Sequence, residues 1–280
     1  MALIDFILNI AALLLWLNWR SAGFDPLTKS TPTTLVGTLR RAEPSKTKGW
    51  YFFIGVVALL ILRALLYWQV GTSVDWMPTL KLGPISISFR TDFFSRALLF
   101  SVLSFGVTLI IFYVWLLFFS IVNGQSEDAD PLQKLVRLHL DWVERWPWPI
   151  KLLLPLIFVT ALWYAVNPLL ARWEVIPAGK SALHRLEQAS TIGLGVYLAW
   201  KYLVAGLLVL YLISSYVYLG NHVVWSFLAV TGRNMLAPFR FLPLRIGKID
   251  FAPLFAIAAV LVASPFMEHG LTMIYRRLPL

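Results

Sequence analysis

The sequence contains no cysteine and few charged residues, and each shortage excludes classes of protein. Without cysteine there is no disulfide scaffold, no thiolate chemistry and no cysteine-ligated zinc or iron–sulfur cluster. Charged residues make up 14% of the 280 residues, where a soluble domain has about 25%. Apolar and aromatic residues make up 59%, and the mean hydropathy is +0.74. This composition excludes a soluble enzyme or a disordered chain, and it indicates a protein whose solvent is mostly lipid.

Six apolar runs approach the roughly 20 residues that a helix needs to cross a bilayer core. Three of them are long and uncharged, whereas the other three are shorter or contain a charge. The first run has no positive segment before it and no small-residue cleavage site after it, so it is predicted to be a retained helix rather than a signal peptide. The sequence therefore predicts an all-α transmembrane protein of six helices. In chain order the predicted spans cover 6–19 (extended through Asp5 toward Met1), 50–71, 97–124, 152–171, 202 to about 220, and 251–267.

The distribution of Lys and Arg favours one orientation in the membrane. The loops 20–49, 124–151 and 221–249 hold six, four and four of these residues, and the opposite loops and tail hold three, three and two. The positive-inside rule then predicts a bacterial inner-membrane protein in which the loops 20–49, 124–151 and 221–249 lie in the cytoplasm and both termini lie outside. The net charge of +10 has the same origin, since basic loops lie beside anionic lipid headgroups, and no nucleic-acid partner is expected.

The loops that follow the first, third and fifth spans begin alike, which predicts an internal repeat. They start with Asp25-Pro26-Leu27, Asp130-Pro131-Leu132 and Asn221-His222-Val223. We expect a single membrane domain, 1–280, built from three helical hairpins. The predicted hairpins are 1–70, 96–172 and 191–270, and the external loops between them are 71–95 and 173–190.

Two loops carry a periodic pattern of their own. From Leu132 to Trp146, apolar residues recur at helical spacing after an Asp130-Pro131 start signal, which predicts a short amphipathic helix. We interpret it as an interfacial anchor lying on the membrane, with a docking surface for a partner as the alternative. From Leu80 to Arg90, apolar and polar residues alternate around Gly83-Pro84, which predicts a small external β-hairpin.

The last predicted hairpin carries polar residues, prolines and glycines in a fixed order. They are Asn221, Thr231, Pro238, Arg240, Pro243, Asp250 and Pro253, with Asn234, Gly247 and Ile249 between them. This order resembles the YggT family, named YlmG in cyanobacteria and plastids. That family's hairpin has an Asn-Pro, a Thr, a Pro-x-Arg-Arg-x-x-Pro cluster and a Gly-x-Ile-Asp-x-Ser-Pro motif. This chain has His222 for the first Pro, one Arg instead of two, and Ala252 for Ser.

The resemblance implies an integral membrane protein without a catalytic residue or a cofactor. Members of the family are connected with cytochrome assembly, with nucleoid and division phenotypes, and with osmotic or ion homeostasis. We therefore expect a non-enzymatic assembly or interaction factor, and a small ion or solute transporter is the alternative. The expected partners are the lipid bilayer with its anionic headgroups and a membrane protein or a second copy of the chain.

The same segment has a physical interpretation that does not depend on the family. Pro238 and Pro243 prevent a helix and favour a rigid extended bend, which would place Arg240 at headgroup depth. Asp250 is placed to cap the last helix and to pair with Arg240 or Arg245. A structural turn with no binding role is the favoured alternative to a partner or lipid site.

Arg63 is the one charge well inside a predicted span, and such charges are candidates for function. It lies about seven residues from the outer end of its helix, roughly 10 Å deep at about 1.5 Å per residue. Because a side chain at that depth reaches the interface, we favour snorkelling over a functional role. Lys201 is interpreted as the outer boundary of the fifth span.

Other chemistry is weakly indicated. Asn167-Pro168 and Pro155 favour a kink in the fourth span of the kind that transporters use, and Gly193 and Gly195 favour close helix packing. No catalytic triad, paired carboxylates or phosphate-binding loop can be assembled, and no metal site is predicted from the scattered histidines. Those histidines are His139, His184, His222 and His269.

Overall fold

A computed structural model describes most of the chain, with short gaps between its elements. The described residues are 2–22, 49–74, 77–83, 85–124, 131–177, 181–217, 220, 222–239, 245–246 and 249–278. They form two compact units, the first comprising Met1–Pro78 with Ser88–Leu109 and the second comprising Thr79–Ile87 with Ile110–Leu280. Each unit is described by itself.

Helices dominate the described part of the chain, as the composition predicts. Six helical segments are long and apolar enough to cross a membrane: Leu3–Ser21, Trp50–Gly71, Phe94–Val122, Trp148–Arg172, Ala182–Tyr216 and Ala252–Arg277. The expectation of six long apolar helices is confirmed, while their pairing into three hairpins stays a prediction. The α-helices are α1 (Ala2–Ala22), α2 (Trp50–Val74), α3 (Phe94–Val122), α4 (Pro131–Leu140), α5 (Trp148–Arg172), α6 (Ala182–Gly195), α7 (Trp200–Tyr216), α8 (Val223–Met235) and α9 (Ala252–Arg277).

The fifth apolar segment begins about 20 residues earlier than the sequence indicated. Helix α6 starts at Ala182, inside the range 173–190 predicted as an external loop, and a 3-10 turn, Val196–Ala199, leads from it into α7. Lys201 therefore lies inside the helical segment, and its interpretation as the outer boundary of the membrane span stays a prediction. The start of the helix was missed because a charge-free window excludes charged residues that have partners, as Lys201 has in Glu268, at 3.2 Å.

In the first unit, apolar side chains from α1, α2 and the first part of α3 form a core. Ala12, Val56 and Phe105 are its buried centre, and Trp16 packs edge-on against Phe105. Helices α1 and α2 contact one another extensively. Burying these side chains holds α1 and α2 side by side, and this contact positions the polar groups described below.

In the second unit, the amphipathic segment packs on protein as well as facing outward. The predicted helix is confirmed at Pro131–Leu140, and a 3-10 turn, Asp141–Arg145, follows it. Val136 and Leu140 pack against Leu116 and Leu117 of α3, whereas Leu135, predicted on the apolar face, is exposed. Part of the apolar face of α4 thus covers α3, whereas its periodicity favoured an anchor lying on the membrane. Helical periodicity identifies an apolar face, but it does not tell which apolar surface that face covers.

Helices α5 to α9 complete the second unit. Pro155 and Pro168 lie inside α5, which continues as a helix through both. Close packing at Gly193 is confirmed, because a β-carbon there would lie 3.0 Å from the carbonyl oxygen of Leu156 in α5. A further cluster joins α7 to α9 through Leu208 and Ala256.

The predicted external β-hairpin is present as strands β1 (Thr79–Leu82) and β2 (Ile85–Ser88). Leu80 and Ile87 are its buried residues, as the alternation predicts. Gly83 adopts a positive φ of 57° in the turn, and a β-carbon there would lie 3.0 Å from the α-carbon of Gly195. The hairpin tip therefore rests on the end of α6, where only a glycine fits.

A second small sheet lies in the segment that resembles the YggT hairpin. Strands β3 (Arg245–Ile246) and β4 (Ile249–Asp250) pair antiparallel, with Arg245 opposite Asp250. The N-cap position of α9 is Phe251, which makes no side-chain capping bond. Asp250 lies one residue before that position, in β4, and its capping role stays a prediction.

Candidate functional site

The YggT-like positions fall in three environments. Thr231 and Pro253 are buried in α8 and α9, whereas Pro238 is exposed in a 3-10 turn, Ala237–Phe239. Asp250 lies in β4. Asn221, Arg240 and Pro243 lie outside the described residues. Because Arg240 is one of them, the structure does not test the predicted Asp250–Arg240 pair.

Thr231 belongs to a buried hydrogen-bond chain that joins α8 to the end of α3. The amide Nδ2 of Asn123 donates to Thr231 Oγ1 at 2.8 Å, and Nδ2 of Asn234 donates to Asn123 Oδ1 at 3.1 Å. The sequence singled out Thr231 and Asn234 but missed Asn123, a polar residue at the end of the longest charge-free run. These hydrogen bonds hold α8 against the end of α3, which is a structural role.

Thr231→Val is expected to lower the free energy of unfolding by about 1–3 kcal/mol, because it leaves the buried Asn123 amide without its acceptor. Thr231→Ser keeps the hydroxyl and removes one methyl group, so it should cost only about 0.8 kcal/mol. Denaturant unfolding of the purified protein in detergent measures both. Equal losses for the two variants would contradict a role for the hydroxyl.

Arg63 lies at the centre of a polar network built by three helices of the first unit. Each helix supplies residues one turn apart: Asp5 and Asn9 from α1, Arg63 and Tyr67 from α2, and Phe100 and Ser104 from α3. Residues four apart share a helix face, so each helix presents its pair to the same point. The Arg63 side chain is fully buried there.

The guanidinium of Arg63 is held on all sides. Its Nη2 donates to Asp5 Oδ1 at 2.6 Å and to Ser104 Oγ at 2.9 Å, while Nη1 donates to Asn9 Oδ1 at 2.7 Å. Its Nε lies 3.3 Å from the hydroxyl of Tyr67, and that hydroxyl also donates to Asp5. The arginine is thus paired, hydrogen-bonded and covered by the rings of Tyr67 and Phe100, each 5.4 Å away.

Snorkelling was therefore the wrong interpretation of Arg63. The side chain is buried and paired, because Asp5 and three hydrogen-bonding side chains meet it inside the unit. A charge buried this way persists only when it is paired, and Asp5 supplies the opposite charge. Sequence reasoning treated Asp5 as a flank of the first span and missed its spacing of four residues from Asn9.

Asp5 is the accessible end of the network. Its side chain is 22% exposed, whereas that of Arg63 is 0% exposed. Asp5 also lies in the first turn of α1, where the helix dipole favours a negative charge. Because arginine cannot lose its proton in a protein, Arg63 stays charged.

A second group of charges lies where α5 begins. Lys151 is buried and donates to Ser120 Oγ at 2.7 Å, and its Nζ lies 3.5 Å from Glu144 Oε2. Ser120 also donates to Glu144, and Arg137 lies 3.8 Å from the other carboxylate oxygen. This cluster ties α3, the α4 segment and α5 together. Within the described residues, no group of three or more His, Asp or Glu side chains is placed to hold a metal ion.

The comparison of this chain with protein-family models, with curated proteins and with solved structures finds no match. The resemblance to the YggT family thus stays a prediction that rests on residues 221–254.

Proposed function

We propose that this protein is a multi-pass membrane protein whose six apolar helices cross a bacterial inner membrane, with both termini outside. Two observations support it: the length and apolar composition of the six segments, and the large apolar side chains that they expose along their length. In bacterial cells, an alkaline phosphatase fused to the C-terminus should be active, and a fluorescent protein fused to the same terminus should not fluoresce. The reverse pattern would reject this orientation.

We further propose that the protein moves a small ion or solute across that membrane. The carrying observation is the Asp5–Arg63 pair, buried among three apolar helices. Charged groups inside a membrane are costly, and they mark ion pathways and proton relays more often than they serve as supports. A structural support at this place could be apolar, since replacing a buried ion pair by apolar groups often stabilises a protein.

The geometry gives the two charges different tasks. Arg63 stays charged and holds Asn9, Ser104 and Tyr67 in place. Asp5 is the partly exposed member of the pair, so a cation can replace Arg63 as its partner. This exchange breaks the 2.6 Å contact and releases the α1 face from α2. An ion or solute gradient can then be coupled to movement of α1.

Flux through proteoliposomes tests this proposal. We expect the purified protein to carry Na⁺, K⁺ or H⁺ above the rate of empty liposomes, and Asp5→Asn to reduce that flux at least tenfold. Asp92→Asn is the matched control, because Asp92 forms an ion pair with Arg90 at 2.9 Å in the same unit but on an exposed surface. Absence of flux, or equal flux from both variants, would reject transport through this network.

The second candidate is the assembly or interaction factor that the resemblance implies. It is favoured by apolar side chains exposed where α4 leads into α5, namely Leu135, Trp142 and Trp148. Such a patch suits a membrane protein partner or the headgroup region of the bilayer. In-membrane crosslinking from position 135 followed by mass spectrometry should recover one stoichiometric protein, which a Trp142→Ala variant loses. Crosslinks to lipid alone would reject this role.

A further inference from the structure

The network around Arg63 presents oxygen atoms of four side chains to one positive charge. Nη2 of Arg63 lies 2.6 Å from Asp5 Oδ1 and 2.9 Å from Ser104 Oγ. Nη1 lies 2.7 Å from Asn9 Oδ1, and the Tyr67 hydroxyl is the fourth oxygen. Oxygen is the ligand of hard cations such as alkali and alkaline-earth ions, whereas soft metal ions prefer thiolate. The network therefore suits a hard cation at the place where the guanidinium lies.

The charge of the network limits which hard cation it can hold. Among the described residues, Asp5 supplies its negative charge and Arg63 its positive charge, so the net charge is zero. Arg63 keeps its charge when a cation replaces it at Asp5. A monovalent cation then brings the net charge to +1 and a divalent cation to +2. Because the cost of taking an ion out of water grows with the square of its charge, the divalent cation is disfavoured.

Divalent cations also need more ligands than the network supplies. Ca²⁺ takes about six to eight oxygen atoms, carboxylates among them, and Mg²⁺ demands near-octahedral geometry. The network supplies four side-chain oxygens, and Asp5 is the one carboxylate among its described members. Coordination and charge thus both favour a monovalent cation.

Ser104 occupies the position that decides the charge of this site. Its hydroxyl contacts the same guanidinium nitrogen as Asp5 does, and the residue is buried in α3. The amide Nδ2 of Asn9 donates to Ser104 Oγ at 3.1 Å, and this donor would serve a carboxylate equally well. An aspartate at position 104 would therefore add a negative charge beside the cation and keep an existing hydrogen bond.

We propose that the network binds monovalent alkali cations in preference to divalent ones, and that Ser104 determines this selectivity. The selectivity rests on the proposed function, because it applies only if a cation replaces Arg63 at Asp5. The net charge of the loaded network is then +1 in the natural protein. With a second carboxylate at position 104, a divalent cation reaches the same net charge.

Thermal unfolding of the purified protein in detergent tests the binding without transport, because a ligand of the folded state raises the melting midpoint. At constant ionic strength made up with choline chloride, NaCl or KCl should raise the midpoint by about 3 °C or more, and MgCl₂ or CaCl₂ by less than about 1 °C. Asp5→Asn should abolish the shift, whereas Asp92→Asn, in an exposed ion pair, should keep it. Equal shifts from both classes of cation, or a shift from neither, would overturn the proposal.

Two variants at position 104 test the role of the serine. Ser104→Asp should raise the affinity for Ca²⁺ relative to Na⁺ at least tenfold, as read from the same midpoints over a range of cation concentrations. Ser104→Asn is the matched control, because it has a similar size without the charge, and it should keep the preference for monovalent cations. The same preference in both variants would show that Ser104 does not set the selectivity.

Binding and flux together separate the selectivity from the proposed function. Alkali binding that requires Asp5, without flux through proteoliposomes, would reject transport and support the selectivity. Flux of Ca²⁺ as fast as that of Na⁺ through the natural protein would support transport and overturn the selectivity.

Discussion

Replacing Arg63 by methionine is expected to lower the free energy of unfolding by about 3–5 kcal/mol, the typical cost of breaking a buried ion pair from one side. The variant leaves the Asp5 carboxylate without its counter-charge and removes the donors to Asn9 and Ser104. Methionine fills part of the same volume, so the loss reports charge and hydrogen bonds more than packing. Denaturant unfolding of the purified protein in detergent, followed by tryptophan fluorescence, measures it.

The double variant Arg63→Met with Asp5→Leu separates pairing from burial. Because it removes both charges together, we expect it to recover most of the stability lost by the single variant. Arg90→Met is the exposed control, since its pair with Asp92 is open to solvent and should contribute less than about 1 kcal/mol. A double variant as unstable as Arg63→Met would show that Asp5 is not the partner that matters.

Stability and transport give separate tests of the same network. A double variant that folds well but carries no ion would support a functional role for the charges. A double variant that folds and transports normally would reduce the Asp5–Arg63 pair to a dispensable support and would reject the proposed mechanism.

Gly232→Ala is expected to destabilise the second unit by about 1–3 kcal/mol, as overpacking of a tight contact does. The β-carbon of an alanine would lie 2.5 Å from the ring of Tyr211, so α8 and α7 would have to separate or the ring would have to rotate. The gain in helix propensity from removing a glycine offsets part of this loss. Thermal unfolding in detergent would show a lower midpoint.

Gly206→Ala is the control for that experiment. Gly206 lies inside α7, and a β-carbon there meets nothing within 4 Å. The same substitution should therefore stabilise the helix by about 0.5–1 kcal/mol. Opposite signs for the two variants would confirm the close contact between α7 and α8, and a stabilising effect at both positions would contradict it.

Local patterns predicted the elements well where one physical rule dominates. The β-hairpin at residues 79–88 followed from alternation around Gly83, because a half-buried strand must alternate. Helix α4 followed from its apolar spacing. The start of α6 was missed because charged residues near Ala182 interrupt the apolar run, although helices tolerate charges that find partners.

The candidate site shows the limit of such rules. Arg63 was visible as a charge in an apolar run, but its partner Asp5 lies 58 positions away on another helix. Helical periodicity gives the face on which a residue lies, not the rotation of one helix against another. The length of the arginine side chain therefore favoured snorkelling. The packing of three helices around Arg63 contradicts that interpretation.

By itself the sequence determined the helical character of this protein and the number of its long apolar helices, because both follow from composition and from the length of the apolar runs. Tertiary structure alone decided which polar residues meet. It brought Asp5 to Arg63 and Asn123 to Thr231. The physical reason is that contacts across helices depend on register and rotation, which are set by packing over the whole unit.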